Sequence, residues 1–500
     1  MEGRDSRGDR MMNLTLDLNA VADYQTFLKV KSLPVYRFTG RNAWFPDEYA
    51  GLIGLKTAKV KSSAYHPREW LFDYQRDIAK LAIQKRKYAV FADCGLGKTP
   101  IFLEFARHCL DVLPKRKAVL FVCPLMVVKQ TIAECQRFYG DELPIEQVAA
   151  KDLPAWTQKG GRFGITNYDA ITDQVEQGRI GAMILDESSM LKSHYGAWGT
   201  RLIQLGKGLE YKLAGTGTPA PNDRIEYANH AVFLDHYPTV NSFLARFFVN
   251  RGQTNERWEL KPHALKDFYR ALSHWCIFLT DPAVYGWKDN CGTLPPINVY
   301  IEDVDLTDEQ RGKAQQVSGD LFGTLGGIGS RSQIARIAKG VECESLKPQY
   351  IVDRVRSFAP ESTIVWCKYN AEQDTLAKMM PEAGSIDGST PHEERERIVD
   401  AFKRGELKTI ISKPKILGLG LNLQICTRQL FSTLQDSYEE YYQAVKRSNR
   451  YGSKLPLNVH IPVTDLERPM IETVLRKSAR VQADTFEQEQ LFREVGCHVK

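Results

Sequence analysis

Residues Ala92–Thr99, ADCGLGKT, decide how the rest of the chain is read. They follow a short apolar run, Tyr88–Ala92 (YAVFA), and open an amphipathic stretch, Lys98–Leu113, that reads as a helix. A glycine-rich turn between a buried strand and a helix is the setting a phosphate-binding loop requires. Gly95 and Gly97 let the backbone wrap close to a phosphate, and successive N–H groups with the helix N-terminus favour its negative charge. Lys98 is expected to reach the β- and γ-phosphates of ATP, and the Thr99 hydroxyl to ligate Mg²⁺. Ala92 stands where the strict pattern has its first glycine.

Outward from this turn, apolar runs alternate with helical patterns. Ala118–Val122 (AVLFV), Phe163–Thr166, Gly181–Leu185 (GAMIL) and Tyr211–Ala214 read as strands. Continuous apolar strands separated by helices imply a parallel sheet covered on both faces. GAMIL runs into Asp186 and Glu187. An acidic pair after a strand is commonly a solvated loop end, but with a phosphate loop upstream it acquires a role. Asp186 is placed to hold Mg²⁺ and Glu187 to orient and deprotonate the attacking water.

The rhythm breaks over residues 236–345, rich in aromatic and basic side chains. It resumes at Ser362–Trp366, with helices after Asn370 and over Pro391–Arg404. Strands at Lys408–Ser412 and Arg428–Ser432 and a helix from Ser437 to Asn449 follow. The expected fold is α/β: two parallel-sheet domains in tandem, 71–235 and 346–500, with a mainly helical insertion at 236–345 and a small leading segment at 1–70.

Bulk properties fit such a chain. Its 500 residues are 43% hydrophobic and 26% charged, ordinary for a globular protein. No run approaches the ~18 to 20 apolar residues of a membrane-spanning helix, and the charged N-terminus lacks the apolar core of a secretory signal. The ten cysteines form no CxxC pair, so zinc-site spacing is absent and a reducing, cytoplasmic setting is expected. A net charge of +6 permits a polyanionic partner without demanding one.

Eight short stretches, in order, resemble the motifs of superfamily-two helicases, and most closely the Snf-type DNA translocases with two RecA-like domains. Gln75 of FDYQ lies where that family carries an adenine-reading glutamine. VCPLMVV around Pro124 and ITNYD, with Thr166, resemble the next two motifs. DESSMLKS resembles DEGHRIKN, with Lys192 at the matching lysine and Ser188–Ser189 in place of Gly-His. LAGTGTPAPN, with Gly217, Thr218 and Asn222, resembles LTGTPIQN. In the second half, IDGSTPHEER holds Gly388, Ser389 and Thr390 and resembles the LDGST motif. ISKPKILGLGLNLQ resembles STRAGGLGINL, but with Lys413 and Pro414 where the family has threonine and arginine. YYQAVKRSNRYG, with Gly452 at its end, resembles QAMDRAHRIG. Several of these features look like the compact members encoded by bacteriophages, which implies the cytoplasm of a bacterial host.

The resemblance implies a cleft in which ATP is gripped by the first domain, Gly420 joins the nucleotide contacts, and arginines arrive from the second. Arg447 and Arg450 are expected at i and i+3 on one helix face, Arg450 as the arginine finger and Arg447 as a second γ-phosphate contact. Pro124, Thr166, Gly217, Thr218, Gly388, Ser389, Thr390 and Lys413 are expected to contact the nucleic-acid backbone, which positions a track without reading its sequence. Duplex DNA is the expected track. RNA or single-stranded DNA under a strand-separating helicase is the alternative, with a non-catalytic scaffold or the motor of a restriction or defence assembly as further readings. The aromatics of the insertion, including Trp258, Phe268, Tyr269, Trp275 and Trp287, read either as a base-stacking platform or as a helical core.

Overall fold

The computed structural model describes residues 3–4, 10–17, 19–55, 65–191, 197–221, 223–252, 257–288, 294–321, 328–341, 343–417, 423–434, 438–450 and 453–495. The chain divides into two compact units, Met1–Asn290 with Asp484–Lys500, and Cys291–Ala483.

A seven-stranded sheet organises the first unit, in the order Cys276–Leu279, Lys87–Ala92, Tyr211–Gly215, Ile180–Asp186, Ala118–Cys123, Phe163–Asn167 and Glu146–Gln147. Every pairing in it is parallel. The central strands are buried along their length, which is why they read as apolar runs and not as alternating ones. Lys87 and Lys212, at the starts of two neighbouring strands, are buried cations. Both pair with Asp235, at 2.9 and 2.7 Å, and Lys212 Nζ also donates to the carbonyl of Phe233. A buried charge persists only with such partners. At the opposite end of the sheet, Gly215 is in register with Asp186 and Val90. The phosphate loop and the acidic pair thereby emerge side by side at the carboxyl edge, where open α/β sheets bind ligands.

The leading segment carries its own antiparallel sheet, with Arg10–Thr15, Asn42–Pro46 and Arg37–Thr39 as neighbours. Its core gathers Leu16, Val30, Phe45 and Tyr49. The Tyr49 hydroxyl lies 2.7 Å from His274 Nδ1, tying this sheet to the rest of the first unit.

Segment 236–345 supplies helices Val240–Phe247, Leu265–Leu272, Asp308–Leu321 and Ile328–Ala338, but also strands. Phe248–Asn250 and Trp258–Leu260 form a hairpin. Cys276–Leu279 is the edge strand of the first sheet, and Ile297–Asp303 is the edge strand of the second. Phe268, Tyr269 and Trp275 are buried, and Trp287 donates to Asp77 at 2.8 Å. Phe268, Tyr269 and Trp275 are therefore core and not a base-stacking platform, whereas Trp258 and Trp287 are half-exposed.

In the second unit six parallel strands run in the order Ile297–Asp303, Leu457–Val463, Arg428–Phe431, Thr363–Trp366, Thr409–Ser412 and Gly384–Ile386. Helix Lys347–Ser357 and helix Asn370–Met379 pack on it through Ile351, Val355 and Leu376. The chain is thus α/β with two parallel sheets in tandem. Among the described residues no helix is long and apolar enough to cross a membrane.

Candidate functional site

Strand Lys87–Ala92 delivers the phosphate loop, and helix Lys98–Val112 continues it. The turn needs its glycines: Gly95 has φ +90° and Gly97 φ +63°, both in the left-handed region. Asp93 stiffens the entry by accepting Cys94 N at 2.6 Å. Lys98 Nζ donates to the carbonyls of Ala92 and Asp93, at 2.8 and 3.3 Å, so the ammonium lies across the inner face of the loop.

Gln75 closes the loop from the side. Its Oε1 accepts Phe72 N at 3.0 Å and its Nε2 donates to Gly97 O at 3.1 Å. An amide has two donors and two lone pairs, so one of each remains for a base edge. A Cβ on Gly97 would fall 2.4 Å from that Nε2. The adjacent Tyr74 hydroxyl donates to Leu96 O at 2.9 Å. The glutamine expected to read adenine is therefore built into the phosphate loop itself.

Asp186 ends the neighbouring strand and Glu187 follows it. Burial and the Glu187 carboxylate push the Asp186 carboxyl up to about 7, against the pull of the Lys98 ammonium. A cation at this position would reverse that tendency. Among the described residues no group of three or more His, Cys, Asp and Glu side chains forms a metal cage. Thr99 and Asp186 would hold Mg²⁺, which keeps several waters and binds through one or two protein oxygens and substrate phosphates. Glu187 has φ +58°, and its N–H donates to Asp186 Oδ1 at 3.0 Å.

The loops expected on the nucleic acid divide. A Cβ on Gly217 would meet Cys94 Sγ at 3.4 Å and Ala92 O at 3.5 Å, so the Gly217–Thr218 turn borders the phosphate loop. Thr218 N donates to Thr216 Oγ1 at 3.1 Å. Pro124 is buried at the start of helix Leu125–Tyr139. Thr166 is buried and its hydroxyl donates to Val148 O at 2.8 Å, so it ties its strand to the residue after strand Glu146–Gln147.

In the second unit, the N–H and hydroxyl groups of Ser389 and Thr390 converge on Asp387 Oδ1 at 2.7 to 3.0 Å. Those bonds, the Ser389 hydroxyl first, hold the Asp387 carboxyl below its usual range. The donors expected to meet a phosphate are committed to a carboxylate of the same turn. Arg395 braces it by donating to the carbonyls of Thr390 and Gly388, at 2.7 and 2.8 Å. Lys413 Nζ donates to Asn370 Oδ1.

The expectation of one helix face for the two arginines is corrected. The helix spans Tyr438–Val445 and stops short of both. Arg447 O accepts Leu423 N at 3.0 Å in place of a helical partner, and Ser453 Oγ donates to Ser448 O at 2.8 Å while accepting Arg450 N at 3.0 Å. Serine side chains that bond the backbone compete with the helical ladder. Arg447 is buried and Arg450 half-buried. Lys192, Asn222, Gly420 and Gly452 lie outside the described residues. Sequence reasoning missed His230 and Asn229, which bond the turn after Glu187; their only signal is two polar residues on an otherwise apolar helix.

Comparison with known proteins bears on this arrangement. Residues 69–316 match the model of the SNF2-related domain and residues 346–452 that of the helicase conserved C-terminal domain. Over 139 residues the chain is 24% identical to an ATP-dependent RNA helicase FAL1 of Kluyveromyces lactis, covering 27% of this chain and 34% of that one. Over 118 residues it is 28% identical to a eukaryotic initiation factor 4A of Dictyostelium discoideum, covering 23% and 29%. The matched stretches thus span about a third of these relatives' lengths. Among solved structures, a Sulfolobus solfataricus SWI2/SNF2 ATPase core in complex with dsDNA is similar, with a TM-score of 0.39 and 16% identity over 86% of this chain and 97% of that one. The chain thus carries an SNF2-related domain followed by a helicase conserved C-terminal domain, a pairing that indicates an ATP-hydrolysing helicase or translocase of the Snf2 type.

Proposed function

We propose that the protein couples hydrolysis of Mg²⁺-bound ATP to movement along duplex DNA, remodelling what is bound there or reannealing strands. The observation that carries this reading is the SNF2-related match, which runs past the first sheet's core strands and through the aromatic segment to residue 316. In this reading Gln75 meets the base, the loop from Gly95 to Lys98 holds the phosphates, and Thr99 and Asp186 hold the metal, which neutralises charge developing on the phosphates. Glu187 orients the attacking water and takes its proton. Arg450 completes the site as the arginine finger, with Arg447 as a second γ-phosphate contact. Gly217, Thr218, Gly388 and Lys413 remain the candidates for the DNA backbone, and Ser389 and Thr390 join them only if a phosphate displaces Asp387. We further propose, from the resemblance of a few of its stretches to compact phage-encoded members, that it acts in a bacterial cytoplasm.

A second reading has its own support: the FAL1 relative is named an ATP-dependent RNA helicase and matches at 24% identity. Under it the protein separates strands of RNA or DNA. ATPase rates with blunt duplex DNA, single-stranded DNA and RNA, each at several salt concentrations, decide between the two. The leading reading requires stimulation by blunt duplex that weakens with salt as phosphate contacts are screened; stimulation by single strands alone would defeat it.

A further inference from the structure

Glu187 occupies a left-handed backbone conformation, φ +58°, which a residue with a Cβ keeps only when its surroundings hold it there. Two bonds come from its own turn: Glu187 N donates to Asp186 Oδ1, and Met190 N donates to Glu187 O at 3.3 Å. Two more come from a different element, helix Tyr227–Phe233. His230 Nε2 lies 3.0 Å from Ser188 Oγ, and Asn229 Nδ2 donates to Leu191 O. Ser188 and His230 are fully buried.

The helix that supplies these groups is itself pinned. Lys212 donates to Phe233 O and pairs with Asp235 just beyond the helix end. The Tyr227 hydroxyl donates to Gln488 Oε1 at 3.1 Å. The edge of one ring meets the other between His230 and Phe91, with centroids 5.1 Å apart and planes at 86°. Phe91 belongs to the strand that delivers the phosphate loop, so one imidazole touches both that strand and the turn carrying Glu187.

We propose that His230, acting through Ser188, is a positioning residue that sets the Glu187 carboxylate relative to the phosphate loop. Ser188–Ser189 replace the Gly-His of the resembling motif, and this chain brings a histidine to the same turn from another helix. Burial holds the imidazole neutral, with its pKa down at about 4, so the contact with Ser188 is not lost by titration near neutral pH; a hydroxyl can partner either neutral tautomer. The inference rests on Glu187 acting in ATP hydrolysis.

The test uses the full chain and measures kcat and KM for ATP, with ADP affinity measured separately. Misplacement of a catalytic group by about 1 Å costs up to about 100-fold, so Ser188→Ala and His230→Ala should each lower kcat about 10- to 100-fold. KM and ADP affinity should stay near wild type, His230→Gln should recover part of the rate, and the double variant should be no slower than the worse single one. A merely structural role would lower the active fraction and nucleotide affinity together. Wild-type kcat in Ser188→Ala, or additive losses in the double variant, would overturn the inference. Should His230→Ala not fold, Ser188→Ala removes the same contact from the other side and decides. Failure of the underlying reading looks different: wild-type protein would then lack ATPase activity, or Glu187→Gln would turn over normally.

Discussion

Replacing Gly97 by alanine isolates the link between the phosphate loop and Gln75. At φ +63° a side chain is strained by about 1 to 2 kcal/mol. The new Cβ would also lie 2.4 Å from Gln75 Nε2, so the amide must leave and its 3.1 Å bond to Gly97 O is lost. A bond of that kind is worth about 0.5 to 1.5 kcal/mol. Together these predict a loss of about 2 to 3 kcal/mol in loop stability. Nucleotide affinity should fall by a comparable amount if binding needs the native loop. Titration with fluorescent ADP, alongside denaturant unfolding, reads both. The second variant makes the reasoning specific: Gln75→Ala opens the space the Cβ needs. The double variant should therefore lose less than the sum of the two single losses, by about 1 kcal/mol. Additive losses, or wild-type binding by Gly97→Ala, would refute the placement of Gln75 against the loop.

Other outcomes follow from the same geometry. Lys98→Ala and Glu187→Gln should both abolish turnover, but only Glu187→Gln should retain ATP binding, as filter binding with labelled ATP would show. Arg450→Ala should lower kcat about 10³- to 10⁵-fold, the range of an arginine finger, whereas the buried Arg447 should also cost stability when replaced; thermal melts and kcat together separate them. Burial, offset in part by Asp235, lowers the Lys212 pKa to about 8. Between about pH 8 and 10.5 the unfolded chain then binds more protons than the folded one, so this lysine makes stability rise with pH. Lys212→Met should remove that rise, seen as flatter urea midpoints across the window. Asp235→Asn should destabilise by about 3 to 5 kcal/mol, because it leaves buried cations without their carboxylate.

Legibility from sequence followed the physics of each element. Strands buried on both faces, such as Ile180–Asp186, announce themselves as apolar runs, and the phosphate loop by its glycines and its flanks. The edge strands Cys276–Leu279 and Ile297–Asp303 did not, because they sit inside a segment whose aromatics and helices dominate the pattern. Their partners, Lys87–Ala92 and Leu457–Val463, are far away in sequence, and such pairing leaves no local trace. The end of helix Tyr438–Val445 was misread because the residues after it keep helical spacing. What stops it is the amide of Leu423, a distant residue that takes the Arg447 carbonyl, together with Ser453. Thr166 and the Ser389–Thr390 turn carry the expected residue types, yet their hydroxyls serve Val148 O and Asp387. Residue type reveals a donor; only the fold reveals what it donates to.

Movement along an intact duplex is tested most directly by displacement of a third strand from a DNA triplex, followed by native gel electrophoresis with wild-type protein and Glu187→Gln. The expected result is displacement that requires ATP and Mg²⁺, proceeds without any single-stranded region, and vanishes in Glu187→Gln. Robust duplex-stimulated ATP hydrolysis with the third strand left in place would contradict translocation and leave only a DNA-stimulated ATPase.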